Sequence, residues 1–131
     1  MSDYTIKDSG KRQEFPTGSV RDTSLGKGRY DLLPAYALSR VAKHFESGAA
    51  KYNPRNWELG QPLCRYLDSA IRHLFNFLGG DRSEDHLSAA VFNALALIET
   101  EYRIACGNLP PELNDLPLPE AATRKVKSPL P

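Results

Sequence analysis

The stretch Leu87–Ile98, LSAAVFNALALI, decides the fold. Nearly every residue in it is apolar or small, with a single amide, Asn93, in its interior. A helix that is apolar all round belongs at the centre of a packed assembly of helices. Its alanines, Ala89, Ala90, Ala94 and Ala96, let partner helices approach closely. No segment of the chain shows the period-two alternation of a half-buried strand, so the predicted fold class is all-α, a small helical bundle.

Working outward, Ser83 is the N-cap candidate for this helix, with Glu84 and Asp85 in a first turn that suits negative charge. Upstream, Leu63, Leu67, Ala70, Ile71, Leu74, Phe77 and Leu78 recur at helical spacing. The pattern predicts a helix from near Pro62 that Gly79-Gly80 stops. An earlier helix is predicted from near Pro34 to Lys51–Tyr52, its face carried by Leu38, Val41, Ala42, Phe45 and Ala49. The connection NPRNWELGQP between them holds the lone tryptophan, Trp57. Three helices this short make a thin core, which points to oligomerisation as the completing step.

The ends read differently. Residues 1–28 are polar and interrupted by Gly10, Gly18, Gly26 and Gly28, which predicts an extended arm or irregular loop. Residues 107–131 hold most of the prolines and are expected to form a tail, one that could lie across a neighbouring subunit. The helical domain is then expected over residues 29–106. A chain of 131 residues has room for one domain. A formal charge of +1 lacks the basic excess of a nucleic-acid-polymer binder. No run of apolar residues is long enough to span a bilayer, and the N-terminus does not read as a secretory signal. Cys64 and Cys106 make no disulfide framework or CxxC pair; they are expected to be buried, inert thiols in a reducing, cytoplasmic setting.

Several residues break the apolar patterns around them. Glu46 flanks the buried face of the first helix, and His73 edges that of the second. Glu84, Asp85 and His86 cluster where the third helix begins, with Asn93 on nearly the same face as His86. Oxygen ligands from two helices suit a hard cation such as Mg2+ or Mn2+, and such ions assist hydrolysis of phosphate anhydrides. Structural readings stand beside these. Glu84 and Asp85 can be a helix-start charge pair. His73 can be a satisfied boundary histidine, and Asn93 can fix helix register through one hydrogen bond. Asp68 sits between Arg65 and Arg72 at salt-bridge spacing. Trp57 can be a core anchor or can stack on a base. Gly26-Lys27-Gly28 is neither a dinucleotide turn nor a P-loop. Asp85-His86 reverses the His-Asp pair of helical HD phosphohydrolases.

As a set, GKGRYDLLP (Gly26–Pro34), HFESGAAKYNPRNWELG (His44–Gly60) and YLDSAIRHLFNFLGGDRSEDHLSAAVFNAL (Tyr66–Leu95) resemble the phage-encoded dATP/dGTP diphosphohydrolase family. That family is one of all-α nucleotide pyrophosphohydrolases related to MazG and HisE. The resemblance implies a helical bundle assembled as a homodimer or homotetramer. It further implies metal-assisted hydrolysis of purine deoxynucleoside triphosphates, dGTP or dATP, to the monophosphate and pyrophosphate. Some phage relatives, called MazZ, remove dGTP to supply dGMP for 2-aminoadenine nucleotides, and a host-cytoplasmic location would follow. The wider superfamily holds metal with ExxE and ExxD, and neither spacing occurs at Glu46 or Glu84. The metal set expected here is therefore Glu46, Glu84 and Asp85, with Asp68 as a fourth. Glu46, Asp85 and His73 are the expected catalytic residues, and His73 and His86 could orient the carboxylates or water. Lys51, Arg55 and Arg72 are the candidate phosphate ligands, Asn56 and Trp57 the candidate base contacts, and Asn93 a further substrate contact. Arg21, Lys27 and Arg29 of the arm could close over the site. Readings of another class remain open: a nucleotide-binding oligomer without turnover, or a phage adaptor or inhibitor protein acting through its tail.

Overall fold

A computed structural model describes residues 5–117 of the chain, so the end of the proline-rich tail, 118–131, lies outside the described residues. Contacts divide the chain between Leu33 and Pro34 into two units. In the first, β1 (Arg12–Glu14) pairs antiparallel with β2 (Val20–Asp22), Gln13 opposite Arg21. The expected irregular arm therefore carries a small hairpin. Three-residue strands, exposed on both faces, leave no alternation for sequence reading to find. Asp22 organises the unit, accepting from Ser9 and lying 3.3 Å from Lys27 Nζ. A 3-10 turn, Tyr30–Leu32, follows, flanked by an Arg29–Asp31 pair at 2.8 Å. Two of the three arm cations, Lys27 and Arg29, are thus paired within their own unit.

The second unit is a bundle of α1 (Ala35–Lys51), α2 (Leu63–Leu78) and α3 (His86–Ala105). It confirms the all-α class. Pro34 and Pro62 stand at the N-cap positions of α1 and α2, where no backbone N–H is required of them. The helix α3 is central, packing against both others. Its Ala89, Ala90 and Ala96 are buried as expected, whereas Ala94 is exposed. Ser83 does not cap α3. Asp85 does, its side chain accepting from Ser88 N, so Glu84 lies before the helix rather than in its first turn.

The apolar stripe of α2 divides in two. Leu63, Tyr66, Ala70 and His73 point inward, at spacings of three and four. Leu67, Ile71, Leu74, Phe75 and Leu78 form a second stripe that is exposed. On α3, Val91, Leu95 and Ile98 are likewise exposed at helical spacing. Three helices are too few to cover an arc this wide, and on α1 only Val41 is buried.

The chain after α3 does not leave the bundle at once. Residues Pro111–Leu113 form a 3-10 turn packed on α3. Beyond it, Asp115 Oδ1 accepts from Cys64 N at 2.9 Å, satisfying one of the amides that the start of α2 leaves without a helical partner. Cys64 is half-buried and Cys106 exposed, which corrects the expectation of two buried thiols. No helix among the described residues is long and apolar enough to cross a membrane.

Candidate active-site cleft

Two local devices build the site. The first is the end of α2. Gly80 N–H donates to Phe77 O and Asp81 N–H to Asn76 O, the paired bonds of a Schellman cap. That cap needs a left-handed residue, and Gly80 supplies it with φ +94. The turn delivers Asp81, whose Oδ1 accepts from the amide and hydroxyl of Ser83 at 2.8 and 2.6 Å. Those bonds, with His86 nearby, hold the Asp81 carboxyl far below the usual carboxylate range. Glu84, Asp85 and His86 follow from this anchored turn.

The second device ties α1 to the start of α3. Arg40 donates to both oxygens of Asp85, from Nε at 2.8 Å and from Nη2 at 2.6 Å. Ser88 Oγ donates to Asp85 Oδ2 as well, at 2.7 Å. Arg40 above all, then Ser88, lowers the Asp85 carboxyl well below its ordinary value. Charge-assisted bidentate pairs are the stronger and more directional kind of hydrogen bond, so Asp85 acts here as a fastener.

Between these devices lies a cleft of about 1060 Å3. Glu46, Glu84 and Asp85 line it. So do Lys51, Arg55 and Arg72, the expected phosphate ligands, and Asn56, Trp57, His73 and Asn93. Residues picked from separate segments of sequence thus meet in one place. Asp68 does not: it is exposed on α2, lies outside the lining, and forms no ion pair with Arg65 or Arg72 despite its spacing. Arg40 and Lys43 also line the cleft and were not anticipated. Their signal is the polar face of α1, in which Arg40, His44, Ser47 and Lys51 recur at helical spacing.

The cations are unevenly committed. Arg40 is held by Asp85, and Arg55 by Glu58. Lys43, Lys51 and Arg72 have no carboxylate within ion-pair distance among the described residues. Glu46, exposed, likewise has no cation partner among them. Arg55 takes a left-handed backbone, φ 64, in a non-glycine residue. Strain of that kind gathers at sites of function and holds only where the surroundings fix it.

Aromatic rings pack beside the cleft. Phe45 meets Phe92 at 4.7 Å between centroids and Trp57 edge-on at 6.3 Å. Tyr66 donates to Trp57 O at 2.9 Å, and the Arg103 guanidinium lies over the indole at 5.9 Å. Trp57 is therefore anchored on several sides while half-buried. Asn93 donates to Ala89 O at 2.8 Å, within its own helix, so that bond cannot fix register between helices.

Beside the cleft, the Nδ1 atoms of His73 and His86 stand 2.9 Å apart. Glu84 Oε1 is 3.2 Å from the first and 3.3 Å from the second. Both imidazoles are buried and the carboxylate is half exposed. Burial, then the nearby Arg72 charge, pushes the His73 pKa down and favours its neutral form. Asp81 Oδ2 lies 3.0 Å from His86 Nε2 but out of line, so this buried nitrogen has no well-aligned hydrogen-bond partner. Two imidazoles and a carboxylate form a donor set that fits a divalent cation.

The profile of the family described as "dATP/dGTP diphosphohydrolase, N-terminal" matches residues 17–106. No curated protein and no solved structure matches the chain.

Proposed function

We propose, since the chain belongs to the dATP/dGTP diphosphohydrolase family, that it hydrolyses purine deoxynucleoside triphosphates to the monophosphate and pyrophosphate in a metal-dependent reaction. The observation that carries this reading is the cleft in which Glu46, free of any cation partner among the described residues, shares a wall with Lys43, Lys51 and Arg72, free of any carboxylate there. A triphosphate brings the negative charge those cations lack.

In this reading water attacks the α-phosphorus, the bond to the bridging oxygen breaks, and pyrophosphate leaves. Lys43, Lys51 and Arg72 hold the phosphates, and Arg55 joins them where its backbone projects it. Glu46 takes the proton of the attacking water. Asp85 and Arg40 keep α1 and α3 at the spacing that Glu46 and Glu84 require. Trp57 and Asn56 border the base. A divalent ion such as Mn2+ or Mg2+, bound near Glu84, would supply charge neutralisation and a more acidic water. Assembly as a homodimer or homotetramer is part of the proposal, supported by the exposed apolar stripes of α2 and α3.

The test is a nucleotide panel with pyrophosphate detection across Mg2+, Mn2+ and no metal. Release from dGTP and dATP with metal is expected, and Glu46→Gln should lose turnover by about 100-fold or more while keeping nucleotide affinity. Preference for dGTP over dATP is the outcome expected of a role in supplying dGMP. Nucleotide binding without pyrophosphate release by the wild type would sink the proposal.

A further inference from the structure

We infer that the metal centre of this protein is a two-histidine, one-carboxylate triad, His73, His86 and Glu84, that takes a borderline divalent transition ion of the Mn2+, Fe2+, Co2+ or Zn2+ class in preference to Mg2+. The inference concerns the metal of the site proposed above and does not depend on the substrate assigned there. Sequence reading had placed the metal on carboxylates alone, with the histidines behind them.

Three geometric facts carry it. The donor atoms form a closed triangle with sides of 2.9, 3.2 and 3.3 Å. Ligands about 2.1 Å from a common ion lie about 3.0 Å apart at right angles and about 3.4 Å apart at tetrahedral angles. The two sides to Glu84 fall between these limits, and the 2.9 Å side between the imidazoles lies close to the right-angle value. A cation just above the plane of the three atoms therefore reaches them all, with its remaining positions open.

Protons satisfy this triangle poorly. One proton on one Nδ1 can be shared with the other Nδ1 or with Glu84, which leaves a lone pair facing another across a short gap. With both Nδ1 atoms unprotonated, both rings carry their proton on Nε2. For His86 that proton points into a buried setting whose nearest acceptor is Asp81, at 3.0 Å and out of line. A metal-ligating histidine commonly donates its other N–H to a carboxylate, which sets its tautomer. Asp81 is anchored by Ser83 in the position for that task. A small rotation of the His86 ring, as an ion draws Nδ1 toward itself, would bring Nε2–H into line.

The choice of metal follows from the donors. Mg2+ prefers oxygen ligands and keeps much of its water, whereas imidazole suits the borderline transition ions. Asp85, saturated by Arg40 and Ser88, has no oxygen to spare. Glu84 and His73 line the cleft, so the open positions of an ion held there face the space where phosphate oxygens would enter.

The full chain, stripped of metal by chelation, would be titrated with Co2+ followed by absorption, and with Mn2+ followed by calorimetry and electron spin-echo detection of nitrogen coupling. We expect one ion per chain, visible ligand-field bands with Co2+, imidazole nitrogen coupling with Mn2+, and no displacement of Co2+ by a large excess of Mg2+. His73→Gln and Glu84→Gln should each weaken binding by more than the roughly 10- to 100-fold that outer partners contribute. Asp68→Asn should leave it unchanged. Glu84 is half exposed, so its variant should fold, and circular dichroism checks that it does. Absence of nitrogen coupling, or unaltered Mn2+ affinity in folded Glu84→Gln, overturns the inference. Pyrophosphate release is read separately: turnover without nitrogen coupling removes the triad and keeps the enzyme, and coupling without turnover does the reverse.

Discussion

At the scale of single residues, Asp85 joins two helices, capping α3 while both of its oxygens accept from Arg40 of α1. Its position beside Glu84 and His86 was visible in the sequence, and it does line the cleft. What the sequence could not reveal is Arg40, which lies 45 residues away and reaches both of its oxygens. Sequence spacing reports faces of one helix and is silent on which residue of another helix arrives opposite. The His73–Glu84–His86 triangle was hidden for the same reason, since it depends on how α2 and α3 cross. The native Asp85 carboxyl titrates below its ordinary value of 3.8, with the Arg40 bonds as the largest cause. Its contribution to stability is therefore complete above 3.8 and is lost as pH falls below that value toward the lowered native one. Asparagine caps a helix as well as aspartate does but carries no charge. Asp85→Asn should then lower the melting temperature at neutral pH and flatten the acid limb of its pH dependence. Parallel acid limbs in the two proteins would show that the Arg40 pair adds nothing to stability. Asp85→Ala loses the cap as well, a further cost of about 1 kcal/mol.

At the scale of elements, α1 and α2 were legible to within a residue or so because proline and glycine mark their ends chemically. Pro34, Pro62 and Gly79-Gly80 each stop or start a helix for a local reason, and local reasons survive in sequence. The start of α3 was misplaced because Ser83 and Asp85 are both competent caps, and a turn fixed by Asp81 decides between them. Adjacent glycines at the end of α2 offer an internal control. Gly79 has an ordinary backbone, φ −76, whereas Gly80 has φ +94. Gly80→Ala should cost about 1–2 kcal/mol and should also weaken metal binding, because the turn carrying Asp81, Glu84 and His86 moves with it. Gly79→Ala should be neutral or stabilising by up to about 1 kcal/mol. Chemical denaturation of the two variants measures the difference, and equal effects would show that the left-handed conformation at Gly80 is not what the turn requires. The hairpin of β1 and β2 was invisible for the opposite reason: its order comes from charge pairs around Asp22 and Asp8, which leave no hydrophobic period.

At the scale of the whole molecule, the sequence shows the apolar face of α2 as one stripe, and the bundle buries only Leu63 and Ala70 of it. The sequence records that a residue is apolar without recording whose surface covers it. Leu67, Ile71, Leu74, Phe75 and Leu78 are the part left for another chain in the assembly proposed above. Sedimentation of the wild type should give a dimer or tetramer, and Leu74→Glu should shift it to a smaller species that remains helical. A wild type that sediments as a monomer at all concentrations would rule that assembly out. The carboxylate that Asp115 lends to the Cys64 amide has a consequence in time as well as in space. During synthesis α2 leaves the ribosome with its opening turn still unsatisfied, and its partner arrives only after 51 further residues have been added. Until then water must serve those amides, so α2 is expected to fray at its start in any nascent or shortened chain. The residues after α3 thus work as a latch that closes last, and its closing can be followed by hydrogen exchange at Cys64.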